Sequence, residues 1–381
     1  MMKTIRLITI ALLLMFMFSP GFANAENYHD GEDETTVYTM VDEAGEEIAS
    51  FGRRVYAGDE YISGDNMLYR VVSVDIIKRI ATAKLLGPEP DGNYAETLAV
   101  FAPASAQSQS GDSENKLIAM YSTHSAESYV KGDGASFTKP HGGIYDIGGE
   151  LKKELDAKGI TVVYSDDTFH PHDAGAYRRS RSTAEELMKM RPAAIFDVHR
   201  DGIPDPEQYD KKVDGEYVTK VRLLVGHSNP SAAANRSFAK QIKKVADEEY
   251  PGFVKDIFIG RGNYNQELFP KSVLLEFGTY TSDKESVLGS AKYMADILEK
   301  AVFGGAASAE EESAVRADEG KSSGVGIAWF IGIAIVASLA YGLVATGTFK
   351  GMLYKVGRSV NEVTGGIIGK KPNDGEHRKD K

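Results

Sequence analysis

The chain has 381 residues, room for one large domain plus appended segments, and 42% of them are hydrophobic. Its net charge of −11 argues against nucleic acid as a partner, because phosphate backbones are met by basic surfaces. It contains no cysteine, so disulfides and thiolate ligands are excluded and any metal must be held by histidine and carboxylate.

Residues 1–25 read as a secretory signal peptide. Lys3 and Arg6 precede the apolar run Leu7 to Phe18, and Ala23-Asn24-Ala25 supplies the small residues of a cleavage site. Residues 26–100 are strand-like and turn-rich. Thr35 to Val41, Ile48 to Val55 and Met67 to Val74 carry strand patterning, with Gly45, Gly58 and Gly64 between them, which predicts a small β module. Residues 101–115 are polar and rich in small residues and read as a linker.

From Lys116 strands alternate with helices. Strands are predicted at Leu117 to Met120, Ile160 to Tyr164, Ala193 to Val198, Val221 to Val225, Asp256 to Ile259 and Val273 to Phe277. Helices are predicted over Ile144 to Lys158, Gly175 to Met190, Ser231 to Glu249 and Ser282 to Phe303. This alternation predicts an α/β domain over residues 116–303, a mostly parallel sheet with helices on both faces. Residues 304–323, rich in Ala, Glu, Ser and Gly, read as a flexible stalk. Within residues 324–349 the charge-free run Val325 to Thr348 is long enough for one transmembrane helix. The basic tail at 350–381, with Lys350, Lys355 and Arg358 next to that run, belongs in the cytoplasm. The expected topology is a single-pass protein of the cell membrane with its catalytic domain extracytoplasmic.

Three strand ends carry the residues of interest. His124 and Glu127 follow the first strand of the α/β domain in Thr123-His-Ser-Ala-Glu-Ser128. His199 follows another in Asp197-Val-His-Arg-Asp201, and Glu276 lies near the end of a third in Leu274-Leu-Glu-Phe-Gly278. In open α/β sheets ligands bind outside the carboxyl ends of strands. Two imidazoles and one carboxylate suit Zn2+ with a position left for water. A carboxylate inside the apolar run of Glu276 is costly to bury unless paired or bound, which points to a general acid/base or a ligand. His141 is an alternative to Glu127 as third ligand. His170-Pro-His172 is expected at the surface, and His227 at the rim of the cleft. Arg200 is expected to bind a substrate carboxylate. Asn265 and Gln266, in the polar loop from Gly260 to Gln266, are expected to hydrogen-bond a peptide or sugar.

These stretches, in order and together with Tyr264-Asn-Gln-Glu-Leu268, make residues 116–303 resemble stage II sporulation protein P, a peptidoglycan hydrolase family related to the zinc-dependent N-acetylmuramoyl-L-alanine amidases. The resemblance implies an amidase-like fold, a Zn2+ cofactor, and cleavage of the bond between muramic acid and the L-alanine of the stem peptide. It implies His124, Glu127 and His199 as metal ligands and Glu276 as the catalytic acid/base. It also implies peptidoglycan as substrate and, in engulfment during sporulation, a glycan-cleaving partner. The chain departs from the family at Ser122, where members commonly have histidine, and the β module falls outside the resemblance. Two other readings stay open: a non-catalytic wall-binding scaffold on the same fold, and a metal-dependent endopeptidase acting on stem peptides.

Overall fold

The computed structural model describes residues 36–89 and 116–304. The expected signal peptide, linker, transmembrane helix, basic tail and the stalk beyond Gly304 lie outside the described residues. Among the described residues no helix is long and apolar enough to cross a membrane.

The amino-terminal segment forms five strands: β1 (Tyr38–Val41), β2 (Glu47–Phe51), β3 (Glu60–Ile62), β4 (Met67–Asp75) and β5 (Ile80–Pro88). The larger segment opens with β6 (Leu117–Tyr121), whose apolar run is buried throughout. Helix α1 (Ile144–Ala157), β7 (Thr161–Tyr164), α2 (Ala176–Lys189) and β8 (Ala194–Asp201) follow. A hairpin of β9 (Asp210–Val213) and β10 (Glu216–Thr219) forms a separate two-stranded sheet. Then come β11 (Val221–Gly226), α3 (Ala232–Glu249), β12 (Val254–Gly260), β13 (Ser272–Thr279) and α4 (Lys284–Phe303). The predicted helices and strands of this segment are all present, with ends displaced by up to three residues; the largest shift is at β8, which runs on to Asp201, so His199 lies within the strand and not past it.

Eleven strands make one sheet in the order β2-β1-β5-β4-β3-β12-β11-β13-β8-β6-β7. From β7 to β13 the pairing is parallel, as expected. One pairing departs from this, because β11 runs antiparallel to β13 and carries β12 with it. The sheet is therefore mixed. The physical reason is that a strand buried on both faces is a plain apolar run, and such a run has no direction. The amino-terminal strands continue this sheet through β3, which pairs antiparallel with β12.

Side chains alternate across the sheet. On one face Phe196, Val198, Leu223, Ile257, Leu275 and Phe277 pack against α1, α3 and α4, where Ile147, Leu151, Phe238, Met294 and Leu298 are fully buried. The other face is covered differently. Phe51, Tyr61 and Val71 of the amino-terminal strands pack on Leu224, Phe258 and Leu274. Helix α2 places Ala184 and Leu187 on Ala119, Tyr121 and Ile195. Helices thus lie on both faces, but strands share the cover of the second. That second face also carries charge. His199 is in register with Glu276, Glu276 with Arg222, and Arg222 with Asp256, so four ionisable side chains run in one row across β8, β13, β11 and β12.

Candidate metal centre

The ligand loop begins where β6 ends. The Glu127 amide donates to the His124 carbonyl at 3.0 Å, a tight turn that brings the two side chains back together. A second segment braces the turn: the Gly142 amide donates to the Ser125 carbonyl at 2.8 Å and the Ile144 amide to the Glu127 carbonyl at 3.0 Å. A Cβ at Gly142 would stand 2.0 Å from the Glu127 carbonyl oxygen, so only glycine allows the approach. The site thus uses Gly142 of the His-Gly-Gly stretch. His141 is exposed, with Nε2 2.8 Å from the Asp166 carbonyl, and stands outside the ligand group.

His124, Glu127 and His199 converge. His124 Nδ1 lies 3.2 Å from Glu127 Oε1, and His199 Nδ1 lies 3.4 Å from the same oxygen. Ligand atoms around a tetrahedral zinc with bonds of about 2.0–2.1 Å stand about 3.3 Å apart, close to both of these distances, and the three ligand atoms all lie within 4.8 Å of one another. All three side chains are buried. Among the described residues they are the group of three with metal-ligating spacing. Outer contacts orient them. Glu127 Oε2 accepts from the Arg200 amide at 3.1 Å. Asp197 Oδ1 lies 2.8 Å from His199 Nε2 and accepts from the Thr123 amide at 2.9 Å, tying the β6 and β8 ends together and leaving His199 Nδ1 for the ion. His124 Nε2 is buried with no hydrogen-bond partner among the described residues.

The electrostatics favour an ion as well. Burial, then the nearby His172 and His199 imidazoles, hold His124 well below its ordinary pKa, in the neutral form that ligates metal. Burial would raise Glu127, but His199, His124 and Arg200 outweigh it and hold the carboxyl well below its usual range. Burial would depress His199, but the Asp197 and Glu127 carboxylates outweigh it and push the imidazole well above its usual range. A cation between these carboxylates would do the same work as that proton and would displace it on binding.

Glu276 occupies the next strand at the register of His199. It is fully buried, and its Oε1 accepts from Arg53 Nη2 at 2.6 Å. Arg222 Nη1 is farther, 3.9 Å from Oε2. Arg222 is committed instead to Asp256, through Nε at 2.6 Å and Nη2 at 3.0 Å, and to Asp201 through Nη1 at 2.7 Å. The partner of Glu276 therefore comes from the amino-terminal strands, 223 residues earlier in the chain.

The remaining expected residues are engaged within the fold. Arg200 is fully buried, and its guanidinium donates to the carbonyls of Ser128, Asp201 and Ser136 while lying over Phe137 and Tyr280. Asn265 Nδ2 donates to the Tyr177 carbonyl at 2.9 Å and to Ser180 Oγ at 3.1 Å. Gln266 donates to the Leu224 carbonyl and accepts from the Gly226 amide. These three hold loops beside the centre. Ser122 Oγ is 2.8 Å from the Tyr164 hydroxyl. His227 lies beside Asp59, at the carboxyl end of β11, which the reversed strand direction carries away from the ligands. His172, expected at the surface, instead places its ring 4.1 Å from that of His124, with Phe137 beyond it at 4.7 Å. Its proline-bracketed tract held the only sequence signal for this placement, and nothing local distinguishes such a loop from a surface one.

The family model for Stage II sporulation protein P (SpoIIP) matches residues 45–299. A curated relative, Stage II sporulation protein P of Bacillus subtilis (strain 168), is 27% identical over 206 residues, covering 49% of this chain and 51% of the relative. The chain thus spans about half the length of the curated relative that it matches. Among solved structures, N-acetylmuramoyl-L-alanine amidase AmiC2 of Nostoc punctiforme is similar at 16% identity and a TM-score of 0.29, over 49% of this chain and 95% of that one. The CwlD amidase from Clostridioides difficile, solved in complex with the GerS lipoprotein, is similar at 14% identity and a TM-score of 0.32, over 50% and 96%. These likenesses are too loose to bear on activity. The family match is not: it runs from the amino-terminal strands, past the expected start at Lys116, through the ligand turn and both ionisable strand ends to the last helix, and the chain belongs to the stage II sporulation protein P family.

Proposed function

We propose that the chain is a zinc-dependent peptidoglycan hydrolase that cleaves the amide bond between N-acetylmuramic acid and L-alanine. The observation that carries the proposal is the triangle of His124 Nδ1, Glu127 Oε1 and His199 Nδ1, with Glu276 at the register of His199 on the next strand. Zinc bound there supplies a Lewis acid that polarises the scissile carbonyl and acidifies water. The protein supplies the rest. Asp197 and the Arg200 amide fix the ligands, so no reorganisation is needed when substrate arrives. Glu276 accepts the proton of the attacking water on its carboxylate and returns it to the departing amide nitrogen. The rings of His172, Tyr177 and Phe137, which cluster at His124, line the approach and exclude bulk water.

The leader-like segment at 1–25 and the apolar run at 324–349 support placing this site outside the membrane, held by a carboxyl-terminal span. Family membership supports peptidoglycan remodelling in sporulation, alongside a glycan-cleaving enzyme. Hydrolysis of purified wall tests the reading. Lysis should stop after prolonged chelation, return with zinc, and fall by about 10³-fold in Glu276→Gln. Lysis indifferent to both would sink the proposal. Mass spectrometry of the fragments should show free muramic carboxyl groups and L-alanine amino termini; cleavage only within stem peptides would assign an endopeptidase instead.

A further inference from the structure

The amino-terminal strands do more than extend the sheet. Arg53 follows β2 in a turn pinned on both sides. Phe51 is fully buried, its ring 4.6 Å from that of Phe258. The Gly52 amide donates to Asp201 Oδ1 at 3.1 Å, and Val55 is buried again. A Cβ at Gly52 would stand 2.4 Å from Gly202 Cα, so the turn lies directly on the chain leaving β8. The next residue, Arg54, is exposed, but Arg53 is only 3% exposed and its guanidinium points into the fold. It meets Glu276 at 2.6 Å and lies 5.9 Å from the Tyr264 ring. Tyr264 packs edge-on against Tyr177, which packs against His124.

We infer that Arg53 is a positioning residue of the active centre: it holds the Glu276 carboxylate in the orientation that proton transfer needs, and residues 36–89 thereby complete the catalytic unit. The inference rests on the hydrolase reading above. Two arguments favour positioning over plain stability. A buried ion pair is a poor way to stabilise a fold, since apolar residues of similar volume often do as well. Arg222 already neutralises part of this row and is committed to Asp256 and Asp201, so Arg53 is a second guanidinium directed at Glu276. Glu has three side-chain torsions, and a proton shuttle works only when its oxygen is held at a fixed angle. A planar guanidinium that is itself locked by a pinned turn and donates through Nη2 to Oε1 provides that.

A double-mutant cycle on the full chain tests this with dye-labelled wall, zinc analysis and thermal melting. Arg53→Ala should lower kcat by about 100-fold, the scale of a misplaced catalytic group, with KM and zinc content unchanged. In the Glu276→Gln background the same substitution should cost nothing further, because no carboxylate remains to be positioned. Arg53→Lys, which keeps the charge and loses the rigid planar guanidinium, should fall between, at about a tenfold loss. Should Arg53→Ala fail to melt cooperatively, the cycle is run with Arg53→Lys, whose loss should likewise vanish in the Glu276→Gln background. Equal losses in both backgrounds, or no loss at all, overturn the inference. An unmutated chain that leaves wall intact would instead overturn the hydrolase reading, so the two failures are distinct.

Discussion

The two faces of the central strands share a backbone and differ in almost everything else. On β8, Phe196 and Val198 enter an apolar layer beneath α1, α3 and α4, while Asp197 and His199 enter the polar face. On β13, Leu275 and Phe277 join the same apolar layer, and Glu276 between them joins the charged row. Burial on the first face is favourable without further conditions. Burial on the second is costly unless each group finds a partner, and the partners come from four strands and the amino-terminal turn. The first face contributes stability alone, and the second, with its own apolar clusters, also places chemistry in register.

Substitutions at neighbouring positions should separate these roles. The largest effect is expected at Glu276→Gln, which should slow wall hydrolysis by about 10³-fold while zinc content, measured by elemental analysis, stays as in the parent. Phe196→Ala, three residues from His199 but on the apolar face, should lower unfolding free energy by about 3–5 kcal/mol in urea titrations and leave zinc bound to the folded protein. Asp256→Asn tests the far end of the charged row. Burial would raise the Asp256 carboxyl, but Arg222 and Lys255 outweigh it and hold it well below its usual range. Its contribution is therefore present above the unfolded carboxyl's pKa, about 4, and is lost as pH falls through the lower folded value. The variant should be less stable by about 3 kcal/mol at pH 7, and the gap should close below about pH 4. The smallest effect is expected at His141→Ala: exposed and outside the ligand group, it should change stability by less than about 0.5 kcal/mol and leave zinc content unaltered.

Much of this was legible in the sequence, for identifiable reasons. The helices announced themselves by amphipathic spacing, and β6, β8 and β13 by apolar runs ending in His or Glu. Those endings brought His124, Glu127 and His199 to one place because parallel neighbours share an edge. Direction was not legible at β11, where the apolar run Val221-Arg-Leu-Leu-Val225 carries no sign of direction and only its register against β13, from Val221 on Phe277 to Leu224 on Leu274, shows the reversal. Arg53 was not legible either. It stands beside Arg54 in a turn, where two arginines ordinarily mean solvent, and its partner is remote in sequence. Glu276 did announce that it needed a partner or a ligand, but a sequence position states a need without saying what meets it.

The burial of the ligand triangle has a kinetic consequence. His124, Glu127 and His199 have almost no surface, and the ring of His172 stands over His124 with Phe137 beyond it. A chelator can reach an ion held there only after neighbouring side chains move, so opening of the site is expected to be the slow step of metal exchange. Chelator should therefore strip the site slowly, with a rate independent of chelator concentration once opening becomes limiting, and zinc added to stripped protein should restore occupancy on the same timescale.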